Sequence, residues 1–458
     1  MTPLWTSAAI AAATDGVAST AFAVSGVTFD SREVGLGDLF VGLTGETTDG
    51  HRFLDQAFAQ GAAGAIVSTP APHPHVLVAD TAAALDALAV AARARVDARV
   101  IGVTGSAGKT GTKEALFAAL DRAAPDAAHR SVKSYNNHVG VPLSLARMPA
   151  KTRFGVFEMG MNHPGELAHL TRLVRPHVAI VTAIAPAHAE FFPDEAAIAD
   201  AKAEIFQGLE PGGVAIIPCD SPHRDRLASA AVRHADRVVG FGFDPAADVC
   251  ALETMRVASG GTFVTARVGS RELSFTVAPP GRHWVSNALA VLAAVDAVGG
   301  DLPLAGLALA ELAELAGRGA RLTVPVADGE ALVIDESYNA NPASMRATLA
   351  VLAAEPAPRK LAVLGEMREL GESSRDYHAA LADPVAQSGA GTVILVGAAM
   401  RPLAEALEGK VDFVHVADVA AARDRLTAVL APGDAVLVKG SNGVGLSALV
   451  AALAGGKA

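Results

Sequence analysis

The chain has 458 residues, 51% of them apolar and 19% charged, which is enough for roughly three domains of about 150 residues each. Lys and Arg number 37 against 48 Asp and Glu, a net charge of −11, and this excludes a general nucleic-acid binder, which needs clustered cations. Two cysteines, Cys219 and Cys250, are too few for a disulfide framework and fit a reducing, cytoplasmic setting, and neither a targeting segment nor a membrane span is legible.

Residues 1–98 read as a small α/β unit. Strand-like runs in VSGVTFDSREVGLGDLFVGLTG are broken by Gly and Asp, HRFLDQAFAQ reads as a helix, and residues 81–96 carry an amphipathic helical pattern. Two dense polar clusters border the apolar runs: Asp30-Ser31-Arg32, and Thr44 to His51, which contains Glu46, Thr47 and Asp49. Arg32 has the fork geometry to grip a phosphate, and a plain surface turn is the other reading.

A second unit, 99–316, opens with RVIGVTGSAGKTGTKEALFAAL, a buried strand, a Gly-rich turn and a helix. Strand–helix alternation continues through GVFEMG, HVAIVTAI, GVAIIPCD and VVGFG, which predicts a parallel sheet with crossover helices. Residues 246–280 alternate at period two and predict an antiparallel addition. Helices are expected at 284–299 and 304–316, and AGRGARLTVPV reads as a hinge. The third unit, 317–458, starts its strands at ALVIDESYNANP and continues through KLAVLGEM, TVILVG, FVHVAD and DAVLVKGS, a second doubly wound pattern. The fold class is thus α/β in three domains.

Thr104-Gly105-Ser106-Ala107-Gly108-Lys109-Thr110 carries the strongest chemical signal. It follows a strand and opens a helix, so its backbone N–H groups and the helix N-terminus suit a polyphosphate. Lys109 would reach the β/γ phosphates and the Thr110 hydroxyl would ligate Mg²⁺. Glu158 ends a neighbouring strand, where a carboxylate can hold Mg²⁺. His188 follows the next strand at the same crevice edge. Lys202, on its own, reads as an exposed helical lysine paired with Glu204 or Glu195. Asn136 and Asn137 suit either a polar ligand or turn chemistry. Asp335 to Pro342 reads as a ligand-facing loop, with Asn341 as N-cap and Pro342 as the first helical residue. Lys439 and Ser441 share that placement. Trp5 and Trp284 read as packing residues.

Together these motifs resemble the Mur ligases of bacterial peptidoglycan synthesis over essentially the whole chain. The family's phosphate loop, TG-[ST]-x-GKT, matches Thr104 to Thr110 and accounts for Val103 where a generic loop has Gly; Gly111 departs from the family's usual Thr or Ser. The resemblance implies an ATP-binding central domain, a UDP-sugar domain at 1–98 and a Rossmann-like domain at 317–458. It makes Glu158 and His188 ligands of two Mg²⁺ and Lys202 a carbamate that serves them, so Lys109, Glu158, His188 and Lys202 form the expected catalytic set. His283 and Asn287 match H-x-x-x-N, whose asparagine contacts adenine. Arg318 is the expected nucleotide arginine, with Arg321 the other candidate, and Asp335 and Asn339 are assigned to the nucleotide. Ser31, Arg32, Thr44, Asp49, Asn136, Asn137, Asn341, Lys439 and Ser441 are assigned to the substrate.

DESYNANP and NNHVGVPLSL further resemble the branch that joins D-alanyl-D-alanine to UDP-N-acetylmuramoyl-tripeptide, as a cytoplasmic monomer. The competing readings are a folylpolyglutamate synthetase, which normally lacks a separate N-terminal domain, a GTPase-type switch, for which no N-K-x-D motif is present, and an inactive scaffold.

Overall fold

The computed structural model describes residues 3–45, 48–258 and 260–455. Besides a two-stranded pair of Trp5–Thr6 with Ala23–Val24, three larger sheets follow one another along the chain. The first has five strands in the order Val17–Ala18, His75–Leu77, Gly64–Val67, Asp38–Val41 and Gly26–Thr28, parallel except at the Val17–Ala18 edge. The helix Thr81–Ala94, capped by the Asp80 side chain, covers one face of it. Leu85 and Leu88 on that helix share a core with Leu143 and Ala146 of the following unit, so the first two units are continuous in their packing.

The central sheet has nine strands. Arg99–Thr104 lies between Phe154–Glu158 and Val178–Val181, parallel to both, with Val103 opposite Glu158 and Thr104 opposite Val181. These strands are nearly all apolar because helices bury both faces. The expected antiparallel addition is formed by Val249–Arg256, Thr262–Val268 and Arg271–Val277. The helix Arg282–Ala297 packs behind the sheet, with eleven of its residues buried.

The second helix expected here is shorter than its sequence pattern. Leu302–Ala310 stops where residues 311–319 turn toward the next sheet, through Gly317 and Gly319 at positive φ. The hinge reading of AGRGARLTVPV holds only for that first part. Ala320–Val326 is an edge strand, antiparallel to Gly329–Glu336. Pro325 is tolerated in it because an edge strand has one side on which a missing N–H costs no pairing. The third sheet continues in parallel through Ala435–Lys439, Lys360–Gly365, Thr392–Val396 and Phe413–Val416. Both cysteines are free thiols. Among the described residues no helix is long and apolar enough to cross a membrane.

Candidate active site

The parallel register brings the ends of three strands to one edge. Thr104 leads into the Gly-rich turn, Glu158 ends the strand on one side, and Thr182 follows the strand on the other. This edge is a topological switch point, where open α/β sheets bind ligands. A cavity of about 410 Å³ opens there, closed on its far side by the third domain.

The Gly-rich turn is fixed before any ligand arrives. Ser106 Oγ donates to Ala185 O at 2.8 Å and accepts from Ala185 N at 3.0 Å. Thr182 Oγ1 donates to Ala107 O at 2.6 Å. Gly108 has φ +84°, and a Cβ there would stand 2.6 Å from Asn287 Oδ1, so only glycine lets the loop approach the Arg282–Ala297 helix. Thr110 Oγ1 donates to Glu158 Oε2 at 2.8 Å, and Asn136 Nδ2 donates to Glu158 Oε1 at 2.8 Å. Glu158 is 1% exposed, lines the cavity and has a partner on each carboxylate oxygen. Lys113, fully buried, stands 3.9 Å from the same carboxylate.

Further lysines lie in and near the site. Lys109 lines the cavity and donates to Gly105 O at 2.6 Å. Burial lowers its pKa, and the Glu158 charge opposes that shift. Lys202 overturns its residue-level reading. It is 1% exposed and pairs with neither Glu195 nor Glu204. Glu195 instead pairs with His223 at 2.9 Å, and Glu204 accepts from Gly165 N and Ala168 N. Burial first, and the Lys109 charge second, push the Lys202 pKa well below that of an ordinary lysine. The third domain contributes Lys439, which donates to Asn339 O at 2.8 Å and lies 3.5 Å from Glu336 Oε2. Burial lowers Lys439 and raises Glu336.

The two candidate arginines are placed differently. Arg318 lines the cavity, stacks 4.2 Å from the Tyr338 ring centroid and donates to Ser134 Oγ at 3.1 Å. Arg321 points elsewhere and grips Glu355 in a bidentate pair at 2.9 and 2.7 Å. His283 and Asn287 line the cavity beside Lys109, and burial holds the His283 imidazole at about 4, hence neutral.

Several expected residues shape the site without lining it. Asp335 spends both oxygens on the hinge, accepting from Gly317 N at 2.8 Å and from Ser337 Oγ at 2.6 Å. Asn137 Oδ1 caps the Gly140–Ala146 helix through Gly140 N at 2.9 Å. Ser441 Oγ accepts from Arg368 N at 3.0 Å. Asn341 is both cap and wall: it forms a capping box with Ser344, and its amide donates to Ser106 O at 3.2 Å across the domain junction. Asn339 lines the cavity.

The first-domain residues lie outside this cavity. Ser31 Oγ donates to Gln56 Oε1 at 3.3 Å, and Arg32 is exposed and paired with Asp30 at 2.7 Å. Thr44 bonds Asp49, and Asp49 caps the turn that holds His51. Glu46 and Thr47 of that cluster lie outside the described residues.

Glu336 and Tyr338 line the cavity from within the 335–342 loop that the sequence marks as ligand-facing, whereas sequence reasoning missed Thr182 and the cavity role of Trp284. Thr182 was findable by the rule that marked Glu158, since it too follows a strand at the switch point. Trp284 packs in the core and also lines the cavity, so packing alone describes half its setting.

Among the described residues no three His, Cys, Asp or Glu side chains converge as a metal cage. What does converge, the Thr110 hydroxyl and the Glu158 carboxylate, is a hard-oxygen pair beside a phosphate loop. That is the donor set Mg²⁺ uses when phosphates and water complete its shell.

Family models match the chain in three places: the Mur ligase family catalytic domain over residues 23–107, the Mur ligase middle domain over 103–295, and the Mur ligase glutamate ligase domain over 320–442. The chain is 36% identical over 431 residues to the UDP-N-acetylmuramoyl-tripeptide--D-alanyl-D-alanine ligase of Escherichia coli, covering 93% of each protein. It superposes on the crystal structure of MurF from Acinetobacter baumannii with a TM-score of 0.86 and 31% identity, covering 99% of both chains. With MurF from Thermotoga maritima, solved in complex with ADP, the TM-score is 0.79 at 26% identity over 94% of this chain and 97% of that one. The chain belongs to the Mur ligase family.

Proposed function

We propose that the chain joins D-alanyl-D-alanine to UDP-N-acetylmuramoyl-tripeptide at the expense of ATP, in peptidoglycan precursor synthesis. The observation that carries this reading is the cavity itself. A prearranged phosphate loop and Glu158 from one domain face Arg318, Asn339 and Lys439 from another, in a chain similar to such ligases from end to end. We assign the units as 1–98 for the UDP-sugar, 99–316 for ATP and 317–458 for closure over both.

The reaction begins with attack of the tripeptide's terminal carboxylate on the γ-phosphorus of ATP. ADP leaves and an acyl phosphate forms. The free amine of D-alanyl-D-alanine then attacks the acyl carbon, giving a tetrahedral intermediate. That intermediate collapses with loss of phosphate, and the nitrogen releases a proton. Two anions must meet in the first step, so the site must supply positive charge. Lys109 and the backbone N–H groups of Gly105 to Thr110 cradle the polyphosphate. Arg318, set between Tyr338 and Ser134, adds a planar cation. Thr110, Glu158, His188 and Lys202 are the residues that would hold two Mg²⁺, which screen the converging charges when bound. The buried setting of Lys202 beside the Lys109 charge favours the neutral amine, the form that takes up CO₂ to become a carbamate. That modification would turn a costly buried cation into an anionic ligand. Asn287, which stands against Gly108, is proposed for the adenine. Ser31, Arg32, Thr44 and Asp49 are proposed for the UDP-sugar.

Lys109→Ala tests the assignment. ATP-dependent phosphate release should fall at least about a hundredfold, the scale for losing one transition-state donor, with the fold retained by circular dichroism. Turnover near that of the parent protein would refute the site.

A further inference from the structure

His188 has φ +59°, a left-handed conformation that is uncommon for a residue with a side chain. A residue of the third domain in the same uncommon conformation stands against it: Glu369, at φ +61°. Glu369 Oε2 lies 2.5 Å from His188 Nδ1 as an ion-pair contact off the line of a hydrogen bond, and among the described residues that buried nitrogen has no hydrogen-bond partner. The backbones meet as well, with Glu190 N donating to Glu369 O at 3.2 Å. Gly371, at φ +57°, lets them approach, since a Cβ there would stand 2.9 Å from Glu190 Cα.

The loop that carries Glu369 is held from several sides. Met367 N donates to His378 Nε2 at 3.0 Å, and Arg368 N donates to Ser441 Oγ at 3.0 Å. Glu366 accepts from Ala399 N at 2.9 Å through its side chain and from Ser441 N at 3.0 Å through its carbonyl. The carboxylate is therefore presented by a rigid part of one domain to a strained histidine of another. Strain of this kind persists only where surrounding structure enforces it, and it gathers at functional sites. A carboxylate on one ring nitrogen fixes the ring's tautomer and orientation and leaves the other nitrogen free to ligate.

We propose that Glu369 is a positioning residue: by holding His188 Nδ1 from the third domain, it leaves Nε2 as the ligating nitrogen and completes the cation site only when that domain is seated. The inference rests on the reading of His188 as a cation ligand.

Mn²⁺ is the probe, with binding to the full chain read by electron paramagnetic resonance at saturating non-hydrolysable ATP analogue. Glu369→Gln should weaken the weaker Mn²⁺ about tenfold, the low end for losing such a partner, with nucleotide affinity changed less than about twofold. Glu369→Asp should recover part of the loss. His188→Ala should also lose that Mn²⁺, and adding Glu369→Gln to it should cost nothing more. The Glu369 side chain is 45% exposed, so these substitutions leave the core intact. Parent-like Mn²⁺ binding in Glu369→Gln, with His188→Ala impaired, would overturn this inference alone. Parent-like binding in both would overturn the reading of His188 on which it rests.

Discussion

Gly111 and Trp284 form a pair. A Cβ on Gly111 would stand 2.7 Å from Trp284 Cη2, so the indole occupies the space that the family's usual Thr or Ser would need. The departure at 111 and the aromatic at 284 are one packing solution in the wall of the cavity. Gly111→Ala should therefore destabilise the protein by about 1–3 kcal/mol, as overpacking does. In a Trp284→Phe background the cost should fall below about 1 kcal/mol, because the smaller ring vacates the site. Equal costs in the two backgrounds, measured by urea denaturation, would contradict the pairing. Lys202 supports a second test at this scale. In ¹³C-bicarbonate the parent protein should show a carbamate carbon resonance that Lys202→Arg lacks. Identical spectra would remove the carbamate from the account. Single residues were legible in the sequence where their chemistry is local. The phosphate loop, Glu158 and the Asn341 cap each depend on neighbours within a few positions. Lys202 was not legible, because its burial is set by the packing of distant elements. Neither was Glu369, whose partner lies in another domain.

At the scale of elements, the strand order explains why these side chains meet. The chain enters the central sheet at Arg99–Thr104 and later fills the positions on either side, so a crevice opens at the end of that first strand. The short edge strand Ala128–Arg130 is held near this crevice by His129, whose Nε2 bonds Ser144 O at 2.8 Å. Burial drives the His129 pKa down to about 4 from the ordinary 6.5, so the folded state holds it neutral. Between those two values the unfolded chain binds the extra proton, and folding stability must fall as pH drops through that window. By pH 4 the loss is on the order of 3 kcal/mol for this one group. Urea midpoints of the parent and of His129→Gln should therefore diverge between pH 7 and pH 4.5, with the parent losing more. Parallel curves would contradict the burial argument. Period and turn chemistry located nearly all the elements, including the antiparallel addition. They failed at Ala320–Val326, read as part of a hinge, because sequence alone does not tell an edge strand from a loop.

At the scale of the whole molecule, the central and third sheets meet at one cavity, and the N-terminal sheet lies outside it. The third domain touches the second at several points, among them Asn341 on the phosphate loop and Glu369 on His188, whose side chains both follow the carboxyl ends of its own strands. This arrangement suits a reaction in which the substrates must be enclosed together and water kept from an acyl phosphate. A five-stranded N-terminal domain also separates the chain from the folylpolyglutamate reading, which expects no such unit. The most direct test is phosphate release from ATP and Mg²⁺, with UDP-N-acetylmuramoyl-tripeptide and D-alanyl-D-alanine supplied singly and together, and the product weighed by mass spectrometry. Release that requires both, with a mass gain of one dipeptide less water, is the predicted result. Release with a folate and glutamate instead, or none with any substrate from folded protein that still binds ATP, would contradict it.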